Sequence, residues 1–433
     1  MSKTILVNGT IITMNAKDDK FESGAIVFDQ DGVITYVGKT PGNLTEYAEV
    51  IDLKGNYVMP GLVNTHGHLS MSLLRGYADD LPLQTWLEEK MWPLEGQYTP
   101  EHAKWGAYLS IVEMLKTGTT TFVDMYDNMD QIAMAVEVSG ARARLCRGMI
   151  GFGSEELRAS KLEEASSFAK EWHNQAEGRI TTMLSPHSPY TCTPDFIEKI
   201  IDRAEELDLP VHTHMSETKY EVDQNQKEYG ERPVRHLEKL GMFNRPTLVA
   251  HAVHVNDEEM DILAKYDVKV SHNIISNLKL ASGVAPIPRM LEKGINVSLG
   301  TDSSASNNNL DLFEELKLVA TLHKGVNYDS TLIPAKKALE LATIDGASSI
   351  WLEDQVGSLE VGKKADMVVL DTNQPFFHPK HDPISHVVYA ASGRDVKDVF
   401  VQGKQVVKNR ECLTVDEEKV IYEVNRLFNT FKF

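Results

Sequence analysis

The stretch YVMPGLVNTHGHL, residues 57–69, decides the predicted fold. It begins as an apolar, β-prone run and ends in His66 and His68, which are spaced two residues apart. On a strand this spacing places both imidazoles on one face. If the strand ends near Gly67, the pair projects from its carboxyl end, where a parallel α/β barrel builds its active site. Two co-facial imidazoles are half of a zinc-type site, whereas a pair of ordinary surface or hydrogen-bonded histidines is the competing interpretation.

Eight apolar, β-rich runs separated by helical stretches extend from Pro60 to about residue 302. Such alternation is typical of a parallel sheet with crossover helices, and eight β/α units predict a closed (β/α)8 TIM barrel. The runs are residues 61–68, 119–126, 143–150, 180–187, 210–217, 247–254, 268–275 and 295–302.

The flanking segments have a different texture, with short β-prone runs joined by turns. In the C-terminal flank the predicted strands are KADMVVLD, SHVVYAAS and VKDVFVQGKQVV. Separate halves of two or three strands would be only marginally stable, so we expect both flanks to pair into one small composite β-sandwich. The predicted organisation is therefore an N-terminal part of the sandwich at 1–59, a catalytic barrel at 60–360 and a C-terminal part of the sandwich at 361–433.

Charge and cysteine content narrow the class of protein. The chain has 63 acidic and 44 basic residues, a formal charge of −19, which disfavours a nucleic-acid backbone or an anionic membrane as partner. Three cysteines without a CxxC pair suit a reducing compartment. The N-terminus lacks the apolar core of a signal peptide, and no run of about 18 apolar residues occurs. We expect a cytoplasmic protein with a small-molecule substrate, and the sequence is compatible with a homo-oligomer.

Polar side chains recur at the carboxyl ends of the predicted strands, where a barrel keeps its chemistry. Packing explains this poorly, since histidine and aspartate are not favoured core residues. Three imidazoles and one carboxylate would bind one divalent metal and leave a position for water. Glu217, one turn past the third imidazole, would then move protons, and His251 would hydrogen-bond the nucleophile. The strand-end residues are His66, His68, His187, His214, His251, His272 and Asp302, of which His66, His68, His214 and Asp302 are the predicted ligands.

The number and kind of metal also follow from the ligand types. A second metal in such barrels usually requires a carboxylated lysine at the end of strand four, and the run ITTMLSPH contains none. We therefore expect one metal per chain. The ligand set suits zinc, with iron or manganese as alternatives.

His212 is a competing ligand, because it lies two residues before His214 on the same face of the predicted strand. The position of His214 nearer the strand end and its spacing to Glu217 favour His214.

Two other patterns have ordinary explanations. Residues 236–238, HLE, match half of the signature of zinc-dependent base deaminases, but the PCxxC half is missing. Residues 357–363, GSLEVGK, fit most of a phosphate loop. Lys364, however, stands where Ser or Thr must hold magnesium, and a strand follows, so a turn is the better interpretation.

The longer motifs carry a resemblance that covers nearly the whole chain. The motifs are PGLVNTHGHLSMSLLRGYADDLPLQTWLEEKMWPLE, SPHSPYTCTPD, HTHMSET, LVAHAVH, SHNIISNLKLASG, GTDSSASNNNLDLFEEL and GSLEVGKKADMVVLD. They resemble the amidohydrolase superfamily and, within it, are most similar to the deaminases of 5-methylthioadenosine and S-adenosylhomocysteine. The resemblance implies a metal-dependent barrel with a composite β-sandwich.

The resemblance also implies roles for individual residues. It makes Glu217, His251 and Asp302 catalytic, with Glu217 and Asp302 also in contact with the substrate. Glu95 resembles the residue that holds the ribose hydroxyls. His187 and Arg147 resemble substrate contacts, with Arg147 directed towards the amino-acid tail. The implied ligands are His66, His68, His214 and Asp302.

The implied reaction is hydrolytic deamination of an adenine nucleoside, in which hydroxide attacks C6 and ammonia leaves. A chlorohydrolase of s-triazines or a guanine deaminase type of enzyme on the same site is the alternative, and a metal-free interaction protein is a second one. The chain departs from the family pattern at Ile274 or Ile275, at Ser303 and at Lys161, where a second arginine is often found. A lysine cannot grip a carboxylate bidentately, so recognition of the homocysteine tail is the part of the resemblance that Lys161 weakens.

Overall fold

The computed structural model describes residues 3–432, whose strands form one mixed and two parallel sheets. The strands are β1 Lys3–Ile12, β2 Lys20–Asp29, β3 Ile34–Lys39, β4 Glu49–Asp52, β5 Tyr57–Pro60, β6 Leu62–Asn64, β7 Thr119–Tyr126, β8 Arg142–Met149, β9 Ile180–Thr182, β10 Ser185–Pro186, β11 Val211–Met215, β12 Thr247–His251, β13 Lys269–His272, β14 Val297–Leu299, β15 Met367–Leu370, β16 Val396–Val401, β17 Lys404–Lys408 and β18 Glu411–Cys412.

Helices connect the parallel strands, as the sequence pattern predicts. The longer α-helices are Pro100–Lys116, Met129–Ser139, Glu155–Trp172, Pro194–Glu206, Lys219–Tyr229, Pro233–Lys239, Asp257–Lys265, Leu312–Asn327, Ala335–Leu341, Pro383–Tyr389 and Glu417–Phe428. Shorter ones are Leu83–Thr85, Trp92–Glu95, Ile274–Lys279, Ile287–Glu292, Ser304–Asn307 and Ile344–Ser349. Within residues 3–432, every helix is too short or too polar to cross a bilayer.

The two parallel sheets meet at both of their edges. One sheet has the order β10-β8-β7-β6 with β9 beside β8, and the other runs β11-β12-β13-β14. Isolated parallel bridges join Leu184 to Val211 and Gly67 to Asp302, and Thr65 N donates to Leu299 O at 3.0 Å. The α/β class with parallel sheets is therefore confirmed, and the carboxyl ends of all these strands lie on one side.

The mixed sheet combines strands from both ends of the chain. Its order is β18-β17-β16-β15-β5-β1-β2-β3, with β4 beside β1. β15 pairs antiparallel with β5, so that Met367 lies opposite Pro60. Buried side chains from both segments, such as Ile11 and Phe400, share one apolar cluster, so the two flanks fold together.

One predicted C-terminal strand is wrong. The run SHVVYAAS mostly lies in the helix Pro383–Tyr389, whose N-cap Asp382 accepts a hydrogen bond from Ile384 N. Ile384, Val387 and Val388 are buried at helical spacing. The β-branched valines suggested a strand, but capping and burial of one helical face outweigh that local preference.

A buried ion pair connects the mixed sheet to the parallel strands. Arg142 on β8 donates from Nε and Nη2 to the two carboxylate oxygens of Asp366, at 2.9 and 3.1 Å. Gln402 N also donates to Asp366 Oδ1 at 2.7 Å, and both charged side chains are 1% exposed. Each buried charge is neutralised only while its partner is present.

We expect Asp366→Ala to destabilise the protein by about 3–5 kcal/mol, because it leaves the Arg142 guanidinium buried without a counter-charge. Thermal and urea unfolding would measure the loss. Asp223→Ala is the matched control, since the Lys219–Asp223 pair is exposed and should contribute no more than about 1 kcal/mol. Equal effects of the two substitutions would contradict the prediction.

Candidate metal centre and active site

Four predicted ligands converge where the two parallel sheets meet. His68 Nε2 lies 3.2 Å from His214 Nε2, and Asp302 Oδ1 lies 3.5 Å from His66 Nε2 and 3.4 Å from His68 Nε2. The donor atoms of His66, His68 and His214 lie within 4.8 Å of one another. The structure therefore brings together side chains that are up to 236 positions apart in the chain, which is 302 minus 66.

The other nitrogen of each imidazole has its own partner. His68 Nδ1 lies 2.6 Å from Met125 O, and His214 Nδ1 lies 2.7 Å from His187 O. A carbonyl only accepts, so both Nδ1 atoms carry the proton and both Nε2 lone pairs face the centre.

His212 is the hydrogen-bond partner of His66. Its Nδ1 lies 2.9 Å from Leu248 O, which leaves its Nε2 to accept from His66 Nδ1, also at 2.9 Å. His66 Nε2 is then buried with no hydrogen-bond partner, as expected of an atom reserved for a metal. The donor set fits one divalent metal. Both ring nitrogens of His212 are thus engaged in hydrogen bonds, whereas Nε2 of His214 faces His68.

Asp302 presents one oxygen to the histidines and keeps the other in hydrogen bonds. Ser276 Oγ donates to Asp302 Oδ2 at 2.7 Å, and Ser306 Oγ does so at 3.3 Å. Burial opposes ionisation of this carboxyl, but the contact with His66 at 3.5 Å and the other nearby imidazoles hold the pKa of Asp302 well below its usual range. Asp302 is therefore a carboxylate ready to bind a cation.

Backbone strain marks two of the site residues. His251 and Asp302 have φ of 77° and 59°, a region that costs non-glycine residues roughly 1–3 kcal/mol. On β12, Val249 packs among the outer core residues while Leu248 packs in the interior cluster. Strand alternation would send His251 outwards with Val249. The left-handed conformation instead turns His251 into the site.

Glu217 and His251 face each other beside the ligands. Glu217 Oε2 lies 3.7 Å from His251 Nε2, and His251 Nδ1 lies 2.8 Å from Asn277 Oδ1. Burial raises the pKa of the Glu217 carboxyl despite the opposing charge of His251. A carboxyl with a raised pKa can hold a proton and return it, as a general acid/base requires.

Sequence analysis missed the residues that hold Glu217 and His251 in place. The carboxylate of Glu221 accepts from Ser216 N and Glu217 N, both at 2.8 Å, and so fixes the turn that presents Glu217. Asn277 orients the His251 ring through its hydrogen bond to Nδ1. Asn277 lies inside the motif SHNIISNLKLASG, and Glu221 lies four residues after Glu217, but no residue pattern specifies these contacts.

A cavity of about 460 Å³ opens beside the centre. Its polar end contains His214, Glu217 and Asp302, and its walls include apolar side chains such as Trp86. Glu95 also lines the cavity and accepts a hydrogen bond from the Tyr126 hydroxyl. The cavity has the size of a small-molecule site, with a few polar groups among apolar lining residues.

His187 and Arg147 are placed differently. His187 lines the cavity, and burial lowers the pKa of its imidazole to about 3, which keeps it neutral. The Arg147 guanidinium pairs with Asp127 at 3.2 Å and Glu164 at 3.0 Å. Asp127 lines the cavity, whereas Arg147 lies just behind it. Lys161 approaches the same rim, where its Nζ donates to Ile150 O at 2.7 Å.

His272 does not join the site. Its ring faces His323 on the helix Leu312–Asn327, with ring centroids 5.6 Å apart. On β13, Ser271 points inwards, where its hydroxyl lies 2.7 Å from Thr65 Oγ1. His272 therefore points outwards by strand alternation, so its position at a strand end is not evidence for a ligand.

A buried carboxyl supports the loop that carries Asp302. Glu315 accepts from Asn307 Nδ2 at 2.8 Å and from Ile275 N at 3.3 Å, and Asn307 Nδ2 also donates to Thr301 O. Burial raises the pKa of Glu315 to about 8. The native state therefore keeps a proton on Glu315 that the unfolded chain, with a pKa of about 4.3, releases.

This proton makes stability depend on pH. Because the pKa of Glu315 is raised in the folded state, its contribution is fully present below about pH 4.3 and is lost as the pH rises through about 8. We expect Glu315→Gln to gain in Tm relative to the wild type between pH 5 and pH 8. For Glu314→Gln, which changes an exposed neighbour, the difference in Tm from the wild type should stay constant over this pH range. A difference in Tm that also stays constant for Glu315→Gln would contradict the prediction.

Comparison with known proteins gives consistent matches. A family model described as the amidohydrolase family matches residues 57–406. The chain is similar to a 5-methylthioadenosine/S-adenosylhomocysteine deaminase from Halalkalibacterium halodurans, at 50% identity over 98% of this chain and 97% of the relative. A crystal structure of an adenosine deaminase from Xanthomonas campestris with bound zinc superimposes with a TM-score of 0.94, at 33% identity over 99% of both chains. A triazine hydrolase from Arthrobacter aurescens gives 0.91, at 25% identity over 99% of this chain and 100% of that one.

Proposed function

Because this chain belongs to the amidohydrolase family, we propose that it is a hydrolase that deaminates an adenine nucleoside, releasing ammonia and forming the inosine-type product. The observation that carries the proposal is a buried carboxyl, Glu217, that lies 3.7 Å from His251 beside a cluster of three imidazoles and one carboxylate. The candidate substrates are 5-methylthioadenosine, S-adenosylhomocysteine and adenosine. Relatives of about 50% identity over nearly the whole chain are deaminases of the first two.

We assign His66, His68, His214 and Asp302 as the ligands of one divalent metal, with zinc as the first choice and iron or manganese as alternatives. The free Nε2 atom of His66 supports the assignment. When bound, such a metal lowers the pKa of a coordinated water to about 7 and makes hydroxide available at neutral pH.

The protein groups then direct the chemistry at C6 of the purine. Glu217 donates its proton to the adjacent ring nitrogen, which makes C6 more electrophilic, and later helps to expel ammonia. His251, held through Nδ1 by Asn277, directs Nε2 towards the attacking oxygen. Asp302, held by Ser276, orients that oxygen from the other side. The net change replaces the exocyclic amine by oxygen and leaves hypoxanthine as the base.

The remaining assigned residues contact different parts of the nucleoside. Glu95 accepts hydrogen bonds from the ribose hydroxyls, and His187 contacts the base. Arg147 binds the carboxylate of an amino-acid tail, for which it must exchange a partner such as Glu164. Glu95 and His187 both line the cavity, which supports these contacts.

The architecture that carries the site is, in our interpretation, a (β/α)8 barrel at residues 60–360 with a composite β-sandwich at 1–59 and 361–433. The parallel bridges at both sheet edges support closure of the barrel. The pairing of β5 with β15 supports the composite second domain.

Arg147→Ala should lower kcat/KM for S-adenosylhomocysteine by about tenfold or more and leave 5-methylthioadenosine nearly unchanged, because only the former carries a carboxylate for the guanidinium. Steady-state kinetics on both substrates would measure the ratio. Arg158→Ala is the control, because Arg158 lies on the helix Glu155–Trp172 and does not line the cavity. Equal losses on both substrates would instead make Arg147 an ion-pair partner with only a structural role.

The proposal is tested by measuring ammonia release from adenosine, 5-methylthioadenosine, S-adenosylhomocysteine and guanine, and chloride release from a chlorotriazine. Rapid deamination of at least one adenine nucleoside is the expected result. Turnover of the chlorotriazine or of guanine, with no activity on the three nucleosides, would overturn the proposal in favour of a chlorohydrolase or a guanine deaminase, respectively.

A further inference from the structure

Residues 430–432, far from the catalytic strands in sequence, lie against the segment that follows the helix Trp92–Glu95. Gln97 Nε2 donates to Lys432 O at 3.0 Å, and Lys432 N donates back to Gln97 Oε1 at 2.9 Å. His102 Nε2 lies 3.1 Å from Thr430 Oγ1. The segment is therefore bound through both its backbone and its side chains.

Phe431 adds an apolar contact between these hydrogen bonds. Its ring is 8% exposed and lies 5.7 Å from the Tyr98 ring and 5.1 Å from the His102 ring, measured between centroids. Phe431 belongs to the same apolar cluster as Leu83 and Trp86, both of which line the cavity. Phe431 thus supports the cavity wall from outside.

Tyr98 contacts both Phe431 and the residues that hold Glu95. Its backbone N donates to Glu95 O at 2.9 Å, and its ring packs 6.3 Å from that of Tyr126. Tyr126 in turn donates its hydroxyl proton to Glu95 Oε1. The position and the orientation of the Glu95 carboxylate therefore both depend on Tyr98.

We propose that residues 430–432 form a strut that positions Glu95 for the ribose hydroxyls, with Phe431 and Gln97 as positioning residues. The inference rests on the proposed nucleoside deaminase function and assigns part of its specificity to a segment outside the catalytic strands. Gln97 and Phe431 do not line the cavity, so they act on catalysis through neighbours that do, and the contacts of Tyr98 lead from them to Glu95. Displacing a positioned group by about 1 Å can cost a large factor in rate.

The test compares adenosine with 2′,3′-dideoxyadenosine, which lacks both hydroxyls and is assayed at enzyme concentrations high enough to measure its slower turnover. Phe431→Ala and Gln97→Ala should each lower kcat/KM for adenosine by about tenfold, mainly through KM, and change it little for the dideoxy compound. Phe431→Leu, which keeps an apolar side chain, should recover part of the loss. Tyr422→Ala, at a 66% exposed position of the helix Glu417–Phe428, is the matched control and should behave as wild type.

Glu95→Gln, measured in parallel, separates the possible failures. If the wild type deaminates no nucleoside, the proposed function fails. If Glu95→Gln abolishes the preference for adenosine while Phe431→Ala and Gln97→Ala retain it, the strut is wrong. Equal losses on both substrates, or a wild type that shows no preference for the hydroxyls, would also overturn the inference. Metal content and Tm, measured for every variant, identify a loss that comes from misfolding, and Gln97→Ala keeps the test valid if Phe431→Ala does not fold.

Discussion

Asp302→Ala should leave the protein without bound metal and without measurable deaminase activity. The substitution removes the carboxylate oxygen that lies 3.4–3.5 Å from His66 and His68, and with it the negative charge that offsets a divalent cation. Losing an outer hydrogen-bond partner of a metal site typically costs about 10–100-fold in affinity or activity, and losing a ligand should cost more. Metal analysis of the purified protein should give about one divalent ion per wild-type chain.

Two controls make this expectation specific. Ser276→Ala keeps the Asp302 carboxylate and removes a hydroxyl that bonds it and Ser306 Oγ, so it should show the smaller loss of about 10–100-fold. His236→Ala changes a histidine that packs on Tyr229 at 4.4 Å, away from the centre, and should keep both metal and activity. Two tightly held ions per wild-type chain, or full metal content in Asp302→Ala, would contradict the assigned site.

Glu217→Gln should lower kcat by roughly 10²–10⁴, the usual contribution of a general acid/base. Glutamine keeps the size of the side chain and can still accept from Ser282 Oγ, as Glu217 Oε1 does at 3.4 Å, but it cannot transfer a proton. Metal content should remain near that of the wild type, because Glu217 is not among the assigned ligands. Single-turnover kinetics would place the loss in the chemical step.

The exposed Glu228, on the helix that follows Glu217, offers a matched control. Glu228→Gln removes the same charge at a position outside the cavity and should turn over as the wild type does. If Glu217→Gln retained wild-type turnover, the proton at the purine ring would have to come from another group. Loss of metal from Glu217→Gln would show that the residue acts on the centre itself.

The periodicity of the sequence determined the local features of this site. Spacing of two residues predicts a shared strand face for His66 and His68 and for His212 and His214. The second pair lies within β11, whereas His66 and His68 lie just past the end of β6 at Asn64. The alternation of β-rich runs with helical stretches predicts parallel strands whose carboxyl ends meet. For these reasons four candidate ligands could be named from the sequence, and the structure brings these side chains together.

Tertiary structure decided the choices between equivalent candidates. His212 and His214 are indistinguishable by period, and only the carbonyl of Leu248 commits the His212 ring to hydrogen-bonding His66. His251 enters the site through a left-handed backbone conformation that breaks the strand alternation. His272, at an equally promising strand end, keeps the alternation and so faces outwards.

The supporting contacts also come from tertiary structure, because each joins elements that are distant in the chain. Asn277 orients His251, and residues 430–432 contact the loop after Glu95 across more than 300 positions of sequence. A local pattern records which face of its own strand or helix a side chain occupies. It does not record which other element packs against that face, since this depends on contacts between distant segments, such as the bridges between the two parallel sheets.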